Sequence, residues 1–157
     1  MPRITPNLWF DTEALEAAEF YVSAFPNSEV TNVTHYNEAG PREAGMILTV
    51  DFELDGQKVT AINGGPEFHF DEAISLLIDC KDQEEVDYYW SKLSDGGEEG
   101  PCGWVKDRYG LSWQVVPAGM EELLKDPDSE RAVRAMTAML GMGKLDVAAL
   151  QAAADGT

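Results

Sequence analysis

The chain has 157 residues, 44% of them hydrophobic, and a formal net charge of −18. That length favours a single domain, and the charge disfavours nucleic acids and anionic membranes as partners. No apolar run approaches the roughly 18 residues of a membrane span, and the start of the chain lacks the pattern of a secretion signal. Because the only cysteines are Cys80 and Cys102, the sequence predicts a cytoplasmic protein without structural disulfides.

The first half of the chain predicts the element order β-α-β-β-β. A short apolar strand begins near Asn7, and a helix with one apolar stripe starts at Thr12-Glu13 and ends at Pro26. Three strands rich in β-branched residues follow, the last two joined by a tight turn at Asp55-Gly56. These strands are predicted at residues 29–36, 46–54 and 58–63.

After Gly64-Gly65-Pro66 the same plan repeats at a constant shift in the sequence. Residues 7–11 align with 75–79, and residues 18–25 align with 86–93. In the second copy Asp82 is the predicted N-cap of the helix, a strand is predicted at 98–102, and a hairpin ending at Pro117 closes the unit. The sequence therefore predicts an α+β fold. Its two β-α-β-β-β units form a cupped, mostly antiparallel sheet within one domain.

Beyond Pro117 the chain predicts a helical extension over residues 118–155, after unit one at 3–64 and unit two at 72–117. Its helices are predicted at 120–125 and 130–140, with a last one capped by Asp146. The second helix carries an apolar stripe of Val133, Met136 and Leu140. Such helices either cover an edge of the sheet or contact a partner subunit, and the sequence leaves both open.

Several stretches across the chain resemble one known family. They are Glu16-Ala-Ala-Glu-Phe-Tyr21, Phe68-His-Phe-Asp-Glu-Ala-Ile-Ser-Leu76, Glu85-Val-Asp-Tyr-Tyr-Trp90, Gly103-Trp-Val-Lys-Asp-Arg-Tyr-Gly-Leu-Ser-Trp-Gln114 and Met142-Gly-Lys-Leu-Asp-Val147. With the duplicated plan, they resemble the vicinal-oxygen-chelate (glyoxalase/bleomycin-resistance/dioxygenase) superfamily. The likeness is strongest to its PhnB-like branch, often labelled 3-demethylubiquinone-9 3-methyltransferase. Because half-barrel units of this superfamily commonly pair, the resemblance and the apolar stripe together predict a homodimer.

The resemblance also implies where a metal would bind. The superfamily's metal enzymes carry ligands on the first and last strands of each unit, which correspond here to Asn7 and Ser75 and to positions near Asn63 and at Gln114. These side chains are neutral, whereas a transition metal prefers imidazole, thiolate or carboxylate donors. We therefore predict no metal at these four positions and no cofactor. No glycine-rich turn follows the first strand, so the residues do not support the methyltransferase label.

The same strands predict a small-molecule pocket. Asn63, Ser75 and Gln114 are expected to hydrogen bond a ligand there, with Trp104 or Trp113 as its wall. Each polar group also fits a different interpretation, in which backbone or water satisfies it inside the core. One of the two tryptophans is expected in the core.

His69 lies between Phe68 and Phe70 in the segment that joins the units. It is the candidate acid or base of the pocket, since imidazole titrates near neutral pH, and its segment is the candidate lid. The alternative is a linker imidazole that only hydrogen bonds. Three functions stay open: an enzyme acting on a small metabolite without the usual metal, a binding protein that sequesters a small compound, and a methyltransferase.

Overall fold

The computed structural model describes residues 2–157. The chain forms two compact units, of which the first ends at His69 and the second begins at Phe70. The first unit contains β1 (Asn7–Phe10), α1 (Ala14–Ala24), β2 (Glu29–His35), β3 (Ile47–Leu54) and β4 (Gln57–Asn63). The second contains β5 (Ser75–Cys80), α2 (Gln83–Ser94), β6 (Glu98–Glu99), β7 (Trp104–Lys106), β8 (Ser112–Pro117), α3 (Met120–Leu124), α4 (Ser129–Leu140) and α5 (Val147–Asp155). The predicted α+β fold with two β-α-β-β-β units is therefore confirmed.

In the first unit the strands lie in the order β1-β4-β3-β2. The β1 strand runs parallel to β4, and the remaining neighbours are antiparallel. One side of α1 is buried because alanines and Tyr21 recur at helical spacing. The Tyr21 ring stacks on Phe52 of β3 at 6.1 Å between centroids, so this helix covers the sheet face that carries the buried residues of β3 and β4.

The second unit repeats the arrangement in the order β5-β8-β7-β6, with β5 parallel to β8. The buried face of α2 consists of Val86, Tyr89, Trp90 and Leu93. Since side chains alternate along a strand, the buried Trp113 and Val115 of β8 point toward α2, and Ser112 and Gln114 point to the opposite face. In each unit we call the sheet face turned away from its own helix the open face.

One predicted strand is shorter than expected. The sequence predicts β-structure over 98–102, but β6 covers only Glu98–Glu99. The cause is a tight loop, because Cys102 and Gly103 have φ values of 57° and 83°. Such values are incompatible with an extended strand.

The C-terminal helices pack onto the second unit. Met120, Leu145 and Leu150 form a buried cluster among them, and Asp146 caps α5 by accepting a hydrogen bond from the Ala149 amide at 2.9 Å. The stripe on α4 stays outside this cluster, with Val133 63% and Leu140 61% exposed. The homodimer stays a prediction. Within residues 2–157 no helix has the length and apolar character needed to cross a bilayer.

Candidate functional site

Asn63 ends β4 and supports the start of α1. Its side chain is 2% exposed. The Oδ1 atom accepts a hydrogen bond from the Ala14 amide at 2.9 Å, and Nδ2 donates to the Ile47 carbonyl at 3.1 Å. The residue before α1, Glu13, makes no side-chain cap. Asn63 therefore takes the place of an N-cap, and backbone groups of its own unit bond both atoms of its amide.

The strand registers show which positions correspond between the units. Trp9 lies opposite Ile62 in the first unit, and the corresponding Leu77 lies opposite Gln114 in the second. The counterpart of Gln114 is thus Ile62. Asn63 is one residue further and points to the helix side of its sheet, because a shift of one residue reverses the face. The strand register therefore places the last-strand position of the first unit at Ile62, next to Asn63.

Ser75 and Gln114 meet on the open face of the second sheet. The Gln114 Nε2 donates to the Ser75 Oγ at 2.9 Å. Both side chains are half-buried, and Leu77 beside them is 52% exposed. The structure thus brings these two predicted site residues into direct contact. Whether they share a pocket with Asn63 stays a prediction.

Next to this pair lies a cavity of about 420 Å³, which we call the Trp104 cavity. Trp104 and Lys106 of β7 and Ser112 of β8 form its strand side, and residues 100–102 form a loop wall. Three acidic residues complete the lining: Glu72, Glu98 and Glu99. The Glu99 carboxylate accepts a hydrogen bond from the Trp90 Nε1 of α2 at 2.9 Å. In the strand register Ser75 pairs with Ser112 and Gln114 pairs with Trp104, so Ser75 and Gln114 lie beside the strand side of the cavity.

Ser112 is the site residue that the sequence interpretation missed. It is 1% exposed, and its Oγ has no hydrogen-bond partner among the residues that the structure describes. A buried hydroxyl without a partner costs about 1–3 kcal/mol. Alternation along β8 was the signal that could have found it, because Ser112 shares the face of Gln114.

The lysine that lines the cavity is already paired with a carboxylate. The Lys106 ammonium bonds the Glu72 carboxylate. This hydrogen bond lowers the pKa of Glu72 and raises the pKa of Lys106, and the charge of Glu98 adds to the second effect. Because the Lys106 amine faces the carboxylates of both Glu72 and Glu98, the cavity is acidic.

Trp113 belongs to the core and Trp104 to the cavity. Trp113 is 2% exposed, and its Nε1 donates to the Asp107 Oδ2 at 2.9 Å. Asp107 also accepts from the Tyr109 and Leu111 amides at 2.8 and 3.1 Å. This buried carboxylate therefore ties the β7–β8 turn to the aromatic core, and the half-buried Trp104 is the tryptophan in the cavity wall.

His69 is the exposed last residue of the first unit. Its neighbour Phe68 packs edge-on against Trp9, with 4.9 Å between ring centroids. The first unit has its own cavity of about 410 Å³, bounded by Trp9, His35, Tyr36 and Ile62 among others. The predicted lid and acid-base roles of His69 stay predictions.

Comparison with known proteins gives the family. The family model described as 3-demethylubiquinone-9 3-methyltransferase matches residues 2–116. The chain belongs to this family. No protein with a curated description matches it. A putative 3-demethylubiquinone-9 3-methyltransferase, the PhnB protein of Bacillus cereus, is 34% identical, with 74% of this chain and 100% of that chain covered and a TM-score of 0.66.

More distant structures share the fold of this family member. Protein PA1353 from Pseudomonas aeruginosa has 17% identity and a TM-score of 0.61, with 74% of this chain and 98% of that chain covered. The fosfomycin resistance protein FosX from Listeria monocytogenes, solved with Mn(II) and sulfate, has 15% identity and a TM-score of 0.54, with 79% and 95% covered. The resemblance to the vicinal-oxygen-chelate superfamily is thereby confirmed at the level of the fold.

The residues at the implied metal positions do not fit a transition metal. Asn7 is exposed and donates from Nδ2 to the Thr5 carbonyl at 3.1 Å, Gln114 donates to Ser75, and the last-strand counterpart in the first unit is the apolar Ile62. Within residues 2–157 no group of three or more His, Cys, Asp or Glu side chains is placed to hold a metal ion. We propose no step through a metal at these positions.

The methyltransferase label of the family is a name that this chain's residues do not explain. Between β1 and α1 the chain reads Asp11-Thr12-Glu13. A glycine-rich turn at this place would be needed for a Rossmann-type nucleotide site.

Proposed function

We propose that this family member binds a small organic molecule in the Trp104 cavity. The observation that carries the proposal is the buried, unbonded Ser112 hydroxyl in the cavity wall. A ligand acceptor or donor there would offset the cost of leaving it unpaired. The volume of about 420 Å³ lies within the range of small-molecule sites, and the Trp104 ring offers a flat apolar contact.

The charges in the cavity favour a neutral or positively charged ligand. Lys106 is held by Glu72, so its ammonium is not available to an anion without breaking that pair. Glu98 adds negative charge at the rim, whereas the Glu99 carboxylate is bonded to the Trp90 indole. A cation can also stack on the face of Trp104. A carboxylate or phosphate ligand would meet repulsion instead.

The cavity supports binding better than covalent catalysis. A serine nucleophile needs a general base within hydrogen-bond reach. No described residue bonds the Ser112 Oγ, so nothing in the structure activates it. Catalysis without the usual metal remains the second candidate function, and it depends on His69, whose imidazole is exposed. Turnover of a bound ligand that disappears in His69→Ala would favour the enzyme.

Two measurements test the binding proposal. Native mass spectrometry of freshly purified protein shows whether a small molecule is retained, and the same spectrum gives the oligomeric state. Fluorescence titration then compares two aromatic probes, the cation thioflavin T and the anion anilinonaphthalene sulfonate. We expect thioflavin T to bind more tightly, and its affinity to fall as salt screens the carboxylates.

Matched variants locate the probe. Trp104→Ala should weaken thioflavin T roughly tenfold, because an aromatic contact is worth about 1 kcal/mol beyond its buried area. Tyr88→Ala removes an aromatic side chain that is 43% exposed on α2 and should leave the affinity unchanged. Equal affinities in wild type, Trp104→Ala and Tyr88→Ala would show that the probe binds elsewhere and contradict the proposal.

A further inference from the structure

We propose that the C-terminal extension, residues 118–157, positions the loop wall of the Trp104 cavity, with Leu145 as the positioning residue. The effect on a ligand rests on the function proposed above. The effect on the loop does not, because the contacts that carry it lie wholly within the second unit and need no ligand.

The loop wall is hydrogen bonded directly to the extension. The Cys102 amide donates to the Met142 carbonyl at 2.8 Å, and the Gly103 amide donates to the Gly143 carbonyl at 2.8 Å. Cys102 has a φ of 57°, which a residue with a side chain adopts only where its surroundings hold it there. These two backbone bonds supply that restraint from a distant part of the chain.

Leu145 packs under the same loop. It is 1% exposed, and its Cδ1 lies 2.9 Å from the place that a Cβ on Gly103 would take. Glycine is therefore required at residue 103 for two reasons, its φ of 83° and the close approach of Leu145. The leucine fills the space that would otherwise let the loop move away from Trp104 and toward the helices.

Residues 142–147, which we call the bracing segment, are themselves anchored to α2. The Gln83 Nε2 donates to the Leu145 carbonyl at 3.0 Å, and the Gln83 Oε1 accepts from the Val147 amide at 2.7 Å. The Lys144 ammonium adds an ion pair with Asp87 at 2.8 Å. Residues 142–147 thus connect the helix side of the sheet to the cavity loop as one fixed piece.

The bracing segment lies outside the part of the chain that the family model matches, which ends at residue 116. The loop wall at residues 100–102 lies inside it. The shape of the cavity in this protein is therefore determined partly by contacts that the family pattern does not include. Members of the family with different C-terminal segments are expected to differ in this wall.

A thiol reaction reports the position of the loop without a ligand. Cys102 is half-buried in the loop, whereas Cys80 is buried and burial raises the pKa of its thiol to about 12. A neutral dipyridyl disulfide should therefore react at neutral pH first with Cys102, forming a mixed disulfide and releasing one thiopyridone. The Cys102→Ser variant identifies this phase, because it should lack it.

The decisive comparison is Leu145→Ala against Leu150→Ala in the full-length chain. Both leucines are 1% exposed in the same cluster, so both substitutions lower overall stability. Of the two, it is Leu145 whose side chain lies against the loop residue Gly103. We expect the Cys102 reaction to accelerate severalfold in Leu145→Ala and to stay near the wild-type rate in Leu150→Ala. Leu145→Met should restore the slow rate. Gln83→Ala gives a milder test that removes only the anchor, with the exposed Gln57→Ala as its control.

Each outcome decides the proposal. Equal acceleration in both leucine variants, or in neither, would overturn it, because general destabilisation or no coupling would then explain the rates. Thioflavin T titration of the same variants separates the two proposals. If wild type binds no probe but the Cys102 thiol still reacts faster in Leu145→Ala, the positioning role holds and the binding function fails.

Discussion

The two units share one plan but use their open faces differently. In the first unit the hydroxyls on this face bond one another or a neighbouring carboxylate: Thr34 Oγ1 lies 2.6 Å from Thr49 Oγ1, and Thr60 Oγ1 donates to Asp51 at 2.7 Å. In the second unit the Ser112 hydroxyl on the open face stays without a partner. Duplication therefore repeats the fold without repeating the pattern of hydrogen bonds on the open face, because the second unit keeps a buried hydroxyl without a partner there.

The helix starts differ in the same way. Asp82 caps α2 locally by accepting from the Glu85 amide at 3.0 Å. The corresponding helix α1 depends on Asn63, which comes from the last strand of its unit. A local cap links neighbours in the sequence, whereas Asn63 links the helix to the sheet. The first unit thus uses a polar residue for stability at the strand position where a pocket residue was predicted.

The largest expected loss of stability is in Asn63→Ala, and it tests the difference between the two helix starts. Asn63→Ala should lower the free energy of unfolding by about 2–4 kcal/mol, because it leaves the Ala14 amide and the Ile47 carbonyl without their partner. Asp82→Ala removes one exposed cap and should cost about 1 kcal/mol. Urea denaturation measures both, with the exposed Asn32→Ala as the control. Equal losses in Asn63→Ala and Asp82→Ala would show that Asn63 acts only as an ordinary cap.

A smaller loss of stability is expected in Thr34→Ala, and its comparison with Ser112→Ala tests the difference between the two open faces. Thr34→Ala should cost about 1 kcal/mol, because the Thr49 hydroxyl and amide both lose a partner. Ser112→Ala should cost nothing or stabilise the protein, since it removes a buried hydroxyl that has no bond to lose. Thermal and urea unfolding without added ligand check both values. A loss in Ser112→Ala as large as that in Thr34→Ala would mean that the two faces are equally satisfied.

The smallest effect is a pH dependence specific to the second unit. The pKa of Glu72 lies below its ordinary value of 4.5 because of its bond to Lys106, so the pair stabilises the fold above that pH and is lost as the pH falls below it. The pKa of Lys106 is raised above 10.5, so the pair is also lost at still higher pH. Between these limits the unfolding midpoint of Glu72→Gln should lie below that of wild type. Below pH 4.5 the two midpoints should become equal. Both side chains are partly exposed and solvent screens the pair, so the difference between the two proteins is small. Unfolding midpoints measured across this range check it, and a separation that persists in acid would contradict the assignment.

The sequence by itself determined the duplicated β-α-β-β-β plan, the helical extension and the local caps Asp82 and Asp146. These features follow from hydrophobic period, turn residues and capping residues, which act over a few positions. The family resemblance came from motifs spread along the chain, and the match to residues 2–116 supports it.

The tertiary structure alone decided which face Asn63 takes, which tryptophan is buried, where a hydroxyl is left unpaired and what holds the cavity loop. Each of these depends on a long-range pairing. The β1–β4 register separates Asn63 from the position of Gln114 by one residue, and one residue in a strand is the difference between the helix side and the open side. The bonds from Cys102 and Gly103 to the extension join segments about forty residues apart, beyond the reach of any local sequence pattern.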